Sequence, residues 1–320
     1  MGLPFISTIP TAKQIEQVHE AIAPFVHRTP VWTSQSIHTL AGCKLHFKCE
    51  NFQKIGAFKM RGAMAAALAI SELDRPKGIA THSSGNHAQA IALAAQILGI
   101  PAYIVMPHNA PLVKQKATKS YGATVILCEA TQDSRLQTLE DVVAKTGATF
   151  IPSYNHYDVI AGQATAAKEL LEHASFLDTI IAPVGGGGLL SGTCLAAHYW
   201  SPNTICIGAE PKAADDAARS LIVGSIQTNT TTDTIADGLR TNLGDKTFGI
   251  LQQYLSDIIT VTETEIVASM RLIWQRLKIV VEPSAAVPLA AVLQQPERFA
   301  GQQIGIILSG GNVEFPLSKI

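Results

Sequence analysis

The sequence predicts an α/β protein in which parallel strands are connected by crossover helices. From residue 78 onward, short apolar runs alternate with helical patterns, which is typical of parallel sheets. Hydrophobic residues make up 47% of the 320 residues and charged residues only 15%, so the chain can bury a large core and is not disordered. This length corresponds to about two domains.

The first predicted strand–helix units lie between residues 77 and 147. An apolar run at 77–82 predicts a strand, and the helical spacing of apolar residues from Ala88 to Leu98 predicts a helix that ends at Gly99. The same order then repeats. Further strands are predicted at 102–106 and 124–128, and further helices from Pro111 to Gly122 and from Ser134 to Lys145.

The second half of the chain repeats this order on a larger scale. Residues 178–184 form a near-continuous apolar run, which is typical of a strand covered on both faces. It leads into four glycines and a helix from Leu189 to about Trp200. Further strands are predicted at 205–209 and 303–308, an amphipathic helix at 263–278 and an exposed loop at 228–234.

Charge and composition exclude several classes of partner. The formal net charge is −1, so the chain has no basic field for nucleic acid. No apolar run reaches the roughly 18–20 residues that span a bilayer. The five cysteines form no CxxC pair, and the first residues lack a basic segment followed by an apolar one. These features predict a cytoplasmic enzyme with a small-molecule substrate and no nucleic-acid or membrane partner.

Gly185, Gly186, Gly187 and Gly188 are the most informative local feature. They follow a buried strand and precede a helix, so their N–H groups can point at a phosphate near the positive end of the helix. The pattern is neither GxGxxG nor a P-loop, which favours a single phosphate over a dinucleotide. A tight turn between strand and helix is the alternative interpretation.

Two other segments carry groups suited to chemistry. Residues 83–87 (Ser-Ser-Gly-Asn-His) also lie between a strand and a helix, and they are either an anion site or an ordinary serine N-cap. Lys59 stands among small and apolar residues at 56–63. It is either an exposed side chain or a desolvated amine with a lowered pKa. Spacing alone does not decide between these alternatives.

Taken in order along the chain, these motifs resemble those of the serine racemase and threonine dehydratase family of pyridoxal-phosphate enzymes. The resemblance rests on Gly56 to Gly62, residues 83–87, the four glycines and Leu308 to Asn312, with support from Ala161 to Thr165 and Val281 to Ala286. It implies the fold type II architecture, with two open, mostly parallel twisted sheets flanked by helices. It further implies a large domain (1–59 and 151–320), a small domain (60–150) and a homodimer.

The resemblance also implies roles for individual residues. Lys59 is expected to form a Schiff base with the cofactor and to remove the α-proton, with Ser84 as a second proton donor on the opposite face. The remaining cofactor contacts are expected from Phe58, Asn86, Gly185 to Gly188 and Ser309, and the remaining substrate contacts from Ser83, His87 and Arg135. A neutral hydroxyl at Ser309, next to the ring nitrogen, favours elimination over transamination.

A divalent-cation site is a further expectation from the resemblance. Glu210, Ala214 and Asp216 match its positions, and two carboxylates with a carbonyl oxygen suit Mg²⁺, Mn²⁺ or Ca²⁺. A solvated acidic loop after a strand is the alternative.

The expected reaction is dehydration of L-threonine or L-serine to a 2-oxo acid and ammonia. Serine racemisation and 3-hydroxyaspartate dehydration are the first alternatives. Ala57 stands where the family commonly has Ser, and this departure could favour a substrate with a second carboxylate. β-Replacement chemistry and a non-catalytic protein that holds the cofactor or an amino acid are the remaining alternatives.

Overall fold

The computed structural model describes residues 2–174 and 176–314. Its strands account for the alternation seen in the sequence. They are β1 (Val31–Trp32), β2 (Lys44–Cys49), β3 (Ile79–His82), β4 (Ala102–Pro107), β5 (Thr124–Cys128), β6 (Thr149–Phe150), β7 (Thr179–Pro183), β8 (Ile205–Pro211), β9 (Asp257–Val261) and β10 (Gln303–Leu308).

Helices connect and cover these strands. They are α1 (Ala12–Ile22), α2 (Gln35–Ala41), α3 (Lys59–Leu68), α4 (Asn86–Leu98), α5 (Leu112–Ser120), α6 (Gln132–Thr146), α7 (Tyr157–His173), α8 (Gly188–Trp200), α9 (Asp216–Val223), α10 (Asp245–Tyr254), α11 (Glu263–Leu277), α12 (Pro283–Gln294) and α13 (Pro296–Phe299). Within the described ranges, none combines the length and apolarity that a membrane span requires.

The strands form two open sheets. The larger has the order β1-β2-β10-β7-β8-β9 and the smaller the order β5-β4-β3-β6. Neighbouring strands are parallel except β1 and β2, which are antiparallel. The predicted class of two mostly parallel sheets is therefore confirmed. The predicted domain boundaries at residues 59 and 150 stay a prediction.

Element ends differ from the sequence prediction where backbone conformation decides them. The helix predicted to extend to Lys278 ends at Leu277, because Lys278 adopts a left-handed conformation with φ of 62°. The strand predicted at 205–209 extends to Pro211, and the alternative of a solvated acidic loop after it is wrong. Glu210 lies within β8 and Asp216 is the first residue of α9, so both carboxylates belong to regular elements and are buried.

A buried ionic cluster fixes α3, the helix that begins at Lys59. The Arg61 guanidinium lies 2.8 Å from carboxylate oxygens of both Glu50 and Glu169, and Lys48 donates to Glu169 at 2.6 Å. All four side chains are at most 3% exposed. Because a charge removed from water must keep its partners, this cluster restricts α3 to one position against β2 and α7.

Candidate active site

One cavity brings together nearly all the residues that the sequence singled out. It has a volume of 960 Å³ and lies between the two sheets, where the ends of β3 and β7 meet the start of α3. Its walls include every predicted catalytic, cofactor and substrate residue: Phe58, Lys59, Ser83, Ser84, Asn86, His87, Arg135, Gly185, Gly186, Gly187, Gly188 and Ser309. The three predicted metal ligands lie outside it.

Lys59 presents a primary amine to this cavity. It is the first residue of α3, and its Nζ donates to the Ser153 carbonyl at 2.7 Å. Burial lowers the pKa of the Lys59 ammonium to about 8, although the Glu282 carboxylate opposes that shift. An amine with this pKa is partly unprotonated near neutral pH, so it can act as a nucleophile or a base.

The four glycines form a strand-to-helix turn with free donors. Gly187 is the N-cap of α8 with φ of 88° and offers no side-chain cap, and the Ser191 N–H makes the bond to the Gly187 carbonyl. The N–H groups before Ser191 therefore have no intrahelical acceptor and suit an anion. A Cβ on Gly186 would lie 2.4 Å from the Tyr154 ring, so packing requires glycine there as well.

The serine-rich segment is not an ordinary N-cap. The N-cap of α4 is Gly85, which has no side chain to cap the helix. The Ser83 Oγ accepts the Gly85 N–H at 3.3 Å. Among the described residues, the Ser84 hydroxyl has no hydrogen-bond partner. A hydroxyl and helix-terminal N–H groups thus face the cavity together, which suits a carboxylate.

His87 is a neutral donor to the backbone. Its Nε2 lies 3.1 Å from the Ile151 carbonyl. Burial lowers the pKa of His87 to about 3, and the nearby Lys59 charge adds to that shift. Its Nδ1 is buried without a partner among the described residues.

Ser309 supplies an unsatisfied hydroxyl at the opposite wall. The residue is 2% exposed, and its Oγ finds no partner in the described part of the chain. Its carbonyl accepts the Phe58 N–H at 3.0 Å, which ties this wall to the residue before Lys59. An orphaned buried hydroxyl is costly unless a ligand satisfies it.

Sequence reasoning missed two residues of this wall. Glu282 is 4% exposed, and both of its carboxylate oxygens accept from Asn86 Nδ2, at 3.1 and 3.0 Å. Burial raises the pKa of Glu282 to about 7, while the bond from Asn86 opposes that rise. Asn312 donates to Asn86 Oδ1 at 2.8 Å. A glutamate directly between Val281 and Pro283 was the available signal, because an acid in an apolar run needs a specific partner when buried.

Arg135 differs from the other cations of the cavity. Lys59 donates to Ser153, Lys114 pairs with Asp237 at 2.8 Å, and Arg240 donates to the Thr234 carbonyl. Arg135, on α6, forms no ion pair within the described residues, and its buried Nε has no acceptor there.

The predicted metal ligands form a separate buried pair. The two Glu210 oxygens accept the Ala217 and Ala218 N–H groups at 3.1 and 3.0 Å, and Asp216 accepts from Asn229 and Leu243. Burial raises the pKa of Glu210 to about 9 and that of Asp216 to about 6. In the described ranges, no group of three acidic, histidine or cysteine side chains is arranged to hold a metal.

Comparisons with known proteins agree with this geometry. The family model for pyridoxal-phosphate dependent enzymes matches residues 22–310. The chain belongs to this family. It is 47% identical over 306 residues to the β-hydroxyaspartate dehydratase of Paracoccus denitrificans, covering 96% of this chain and 97% of that protein.

Two solved structures are also similar. The serine racemase of Dictyostelium discoideum superposes with a TM-score of 0.92 at 46% identity, covering 95% of this chain and 99% of that one. A threonine deaminase from T.th. superposes with a TM-score of 0.91 at 43% identity, covering 96% and 99%. The protein is thus an enzyme of the pyridoxal-phosphate-dependent lyase and racemase group.

The residues of the cavity fit pyridoxal phosphate. A buried amine, a cradle of N–H groups that side chains would fill, and the orphaned Ser309 hydroxyl match an aldehyde, a phosphate and a ring nitrogen. Phe58, whose ring centre lies 5.1 Å from Lys59 Nζ, closes the wall beside the amine. The role of each residue stays a prediction.

Proposed function

We propose that this enzyme is an ammonia-lyase that dehydrates 3-hydroxyaspartate, releasing a 2-oxo dicarboxylic acid and ammonia. The single observation that carries the proposal is the Arg135 guanidinium in the cavity wall, which has no ion-pair partner among the described residues. Arg135 is half-buried and its buried Nε has no acceptor among the described residues, and a bound carboxylate would supply that acceptor. The methyl group of threonine and the hydrogens of serine offer no such charge at the β-carbon.

Two anion sites then correspond to the two carboxylates of the substrate. The N–H groups at the start of α4, with the Ser83 and Ser84 hydroxyls, suit the α-carboxylate. Arg135 suits the second carboxylate through the paired donors of its guanidinium. The relationship to a β-hydroxyaspartate dehydratase supports this assignment, which differs from the L-threonine or L-serine expected from the sequence.

Pyridoxal phosphate, when bound, supplies an aldehyde that joins to amines and a ring that draws electrons from the α-carbon. The residues of this chain bind the cofactor and accept the proton. Lys59, with its pKa lowered to about 8, holds the amine that takes the α-proton. The glycine turn and Ser309 hold the cofactor. Loss of the β-hydroxyl as water leaves an enamine, which hydrolyses to the oxo acid and ammonia after release.

A panel of amino acids tests the proposal. The purified holoenzyme is given both diastereomers of 3-hydroxyaspartate, L-threonine, L-serine and D-serine, and the oxo acid, ammonia and enantiomer formed are each measured. We expect oxo acid and equimolar ammonia, fastest from a 3-hydroxyaspartate isomer. Turnover confined to the monocarboxylic substrates would contradict the assignment.

Serine racemisation is the second candidate, because the Ser84 hydroxyl lies in the cavity and does not cap α4. If Ser84 exchanges the proton of the D-enantiomer, Ser84→Ala should lower L- to D-serine conversion by about 100-fold or more. Elimination from L-substrates should fall less. Ser83→Ala is the matched control, because Ser83 is proposed only as a contact of the α-carboxylate and its loss should lower both activities alike. Equal loss of both activities would leave Ser84 as a carboxylate contact only.

We also propose that Glu210, Asp216 and the Ala214 carbonyl bind a divalent cation. Both carboxylates are fully buried, and hard oxygen ligands suit Mg²⁺, Mn²⁺ or Ca²⁺. The cation would join β8 to the start of α9 without touching substrate, so its loss should act through stability. Chelation should lower the melting temperature and the activity together, and added cation should restore both. Unchanged melting and activity in metal-stripped buffer would refute the site.

A further inference from the structure

Asn312 lies at the centre of a hydrogen-bonded chain that links three separate segments of the cavity wall. Its Nδ2 donates to the Ile55 carbonyl at 2.7 Å and to Asn86 Oδ1 at 2.8 Å. Its backbone N–H donates to a Glu282 oxygen at 3.2 Å. Asn86 Nδ2 in turn donates to both Glu282 oxygens. The turn before Lys59, the start of α4 and the segment before α12 therefore meet at one residue, through its side chain and its backbone N–H.

The Ile55 carbonyl determines the direction of this hydrogen-bonded chain. A backbone carbonyl only accepts hydrogen bonds, so the Ile55 carbonyl requires Asn312 to turn its NH₂ group toward Ile55, and the second hydrogen of that group is donated to Asn86 Oδ1. Asn86 must then direct its oxygen to Asn312 and its NH₂ group toward Glu282. Because Asn86 lies in the cavity wall and its Nδ2 carries two hydrogens, this orientation places a donor, and not an acceptor, at the cavity.

Asn312 also holds an uncommon backbone conformation in place. Ile55 adopts φ of 61°, which is unfavourable for a β-branched residue. Its carbonyl is the one that Asn312 binds, and the following Gly56 carbonyl accepts the Gly311 N–H at 2.9 Å. A Cβ on Gly56 would lie 2.7 Å from Asn312 Oδ1. This turn ends three residues before Lys59, so its conformation sets where α3 begins.

We infer that Asn312 is a positioning residue for cofactor binding. It fixes the orientation of the Asn86 amide, so that the NH₂ group faces the cofactor, and it secures the turn before Lys59. The inference rests on the proposed role of Asn86 as a donor to the cofactor, and it is independent of which amino acid is the substrate.

The test measures cofactor binding without substrate. Holoenzyme variants are compared by the dissociation constant for pyridoxal phosphate, titrated by visible absorbance, and by melting temperature. Asn312→Ala removes both donated bonds of the side chain and should weaken cofactor binding by roughly 10- to 100-fold. Asn312→Ser keeps one hydroxyl donor and should lose less, and it serves if the alanine variant does not fold.

Asn51→Ala is the matched control. Asn51 Nδ2 donates to the Val280 carbonyl at 3.1 Å. It therefore ties the chain that leads into the turn before Lys59 to the segment before α12, without contacting Asn86. Its loss should lower the melting temperature but leave cofactor affinity near that of the wild type. An Asn312→Ala enzyme with the cofactor affinity of this control would overturn the inference.

A double-mutant cycle with Asn86→Ala shows whether Asn312 acts through Asn86. We expect the fold-loss of cofactor affinity in the double variant to be clearly smaller than the product of the fold-losses in the two single variants. Multiplicative losses would overturn the proposed route through Asn86. An Asn86→Ala enzyme with normal cofactor affinity would overturn it too. Neither result affects the 3-hydroxyaspartate proposal, which fails only on the substrate panel.

Discussion

Lys59→Ala is expected to abolish turnover on every substrate while the fold persists. The variant removes the amine proposed both to join the cofactor and to take the α-proton, so the rate should fall by roughly 10⁴-fold or more. The fold should persist because alanine favours the first turn of α3 and the buried Arg61 cluster still fixes this helix. Activity, the visible absorption of bound cofactor and circular dichroism are the measurements.

Lys114→Ala is the control for that variant. Lys114 also lies in the cavity wall, but its amine pairs with Asp237. Borohydride reduction followed by peptide mass mapping should attach the cofactor to Lys59 in the wild type and in the Lys114 variant. An active Lys59→Ala enzyme, or cofactor attached to another lysine, would remove the proposed role of Lys59.

Arg135→Gln is expected to change substrate preference more than any other variant that keeps Lys59. Charge-assisted hydrogen bonds contribute about 1.5–3 kcal/mol, so kcat/KM for 3-hydroxyaspartate should fall by roughly 10- to 100-fold. The value for L-serine should change little, because serine has no second carboxylate. Steady-state kinetics on both substrates measure the two effects.

Arg240→Gln is the matched control for Arg135. Both arginines line the cavity, but the Arg240 guanidinium is engaged by the Thr234 carbonyl. Its replacement should change kcat/KM for the two substrates by the same factor. If Arg135→Gln also lowers kcat/KM for both substrates by the same factor, Arg135 contacts the α-carboxylate or supports the cavity wall. The preference for a dicarboxylic acid would then have another cause.

Motifs that place a functional group directly between a strand and a helix were predictable from the sequence. The glycines at 185–188 and the segment at 83–87 lie where parallel strands end, so the alternation of elements alone brings them to neighbouring edges of the sheets. The same alternation also predicted the parallel sheets. The alternation does not explain the buried Lys48 in β2, which interrupts the apolar pattern. The partners of this lysine are the Thr29 carbonyl and the Glu169 carboxylate, and Glu169 is 121 residues away along the chain.

The state of individual polar side chains was not predictable in this way. Arg135 was expected to contact substrate only from the family resemblance. The structure adds that Asp237 and the Thr234 carbonyl bind the neighbouring cations Lys114 and Arg240. Asn312 and Glu282 act on Asn86 across 226 and 196 residues of chain. Such pairings depend on the packing of distant segments, which local spacing does not encode.

The most direct test of the proposed function is an internal competition between 3-hydroxyaspartate and L-serine. Both substrates are supplied together to the wild-type holoenzyme, and their rates of disappearance give the ratio of the two kcat/KM values. We expect a ratio above about 10 in favour of a 3-hydroxyaspartate diastereomer, falling toward 1 in Arg135→Gln. A ratio near or below 1 in the wild type, for both diastereomers, would contradict the proposed preference for a dicarboxylic substrate.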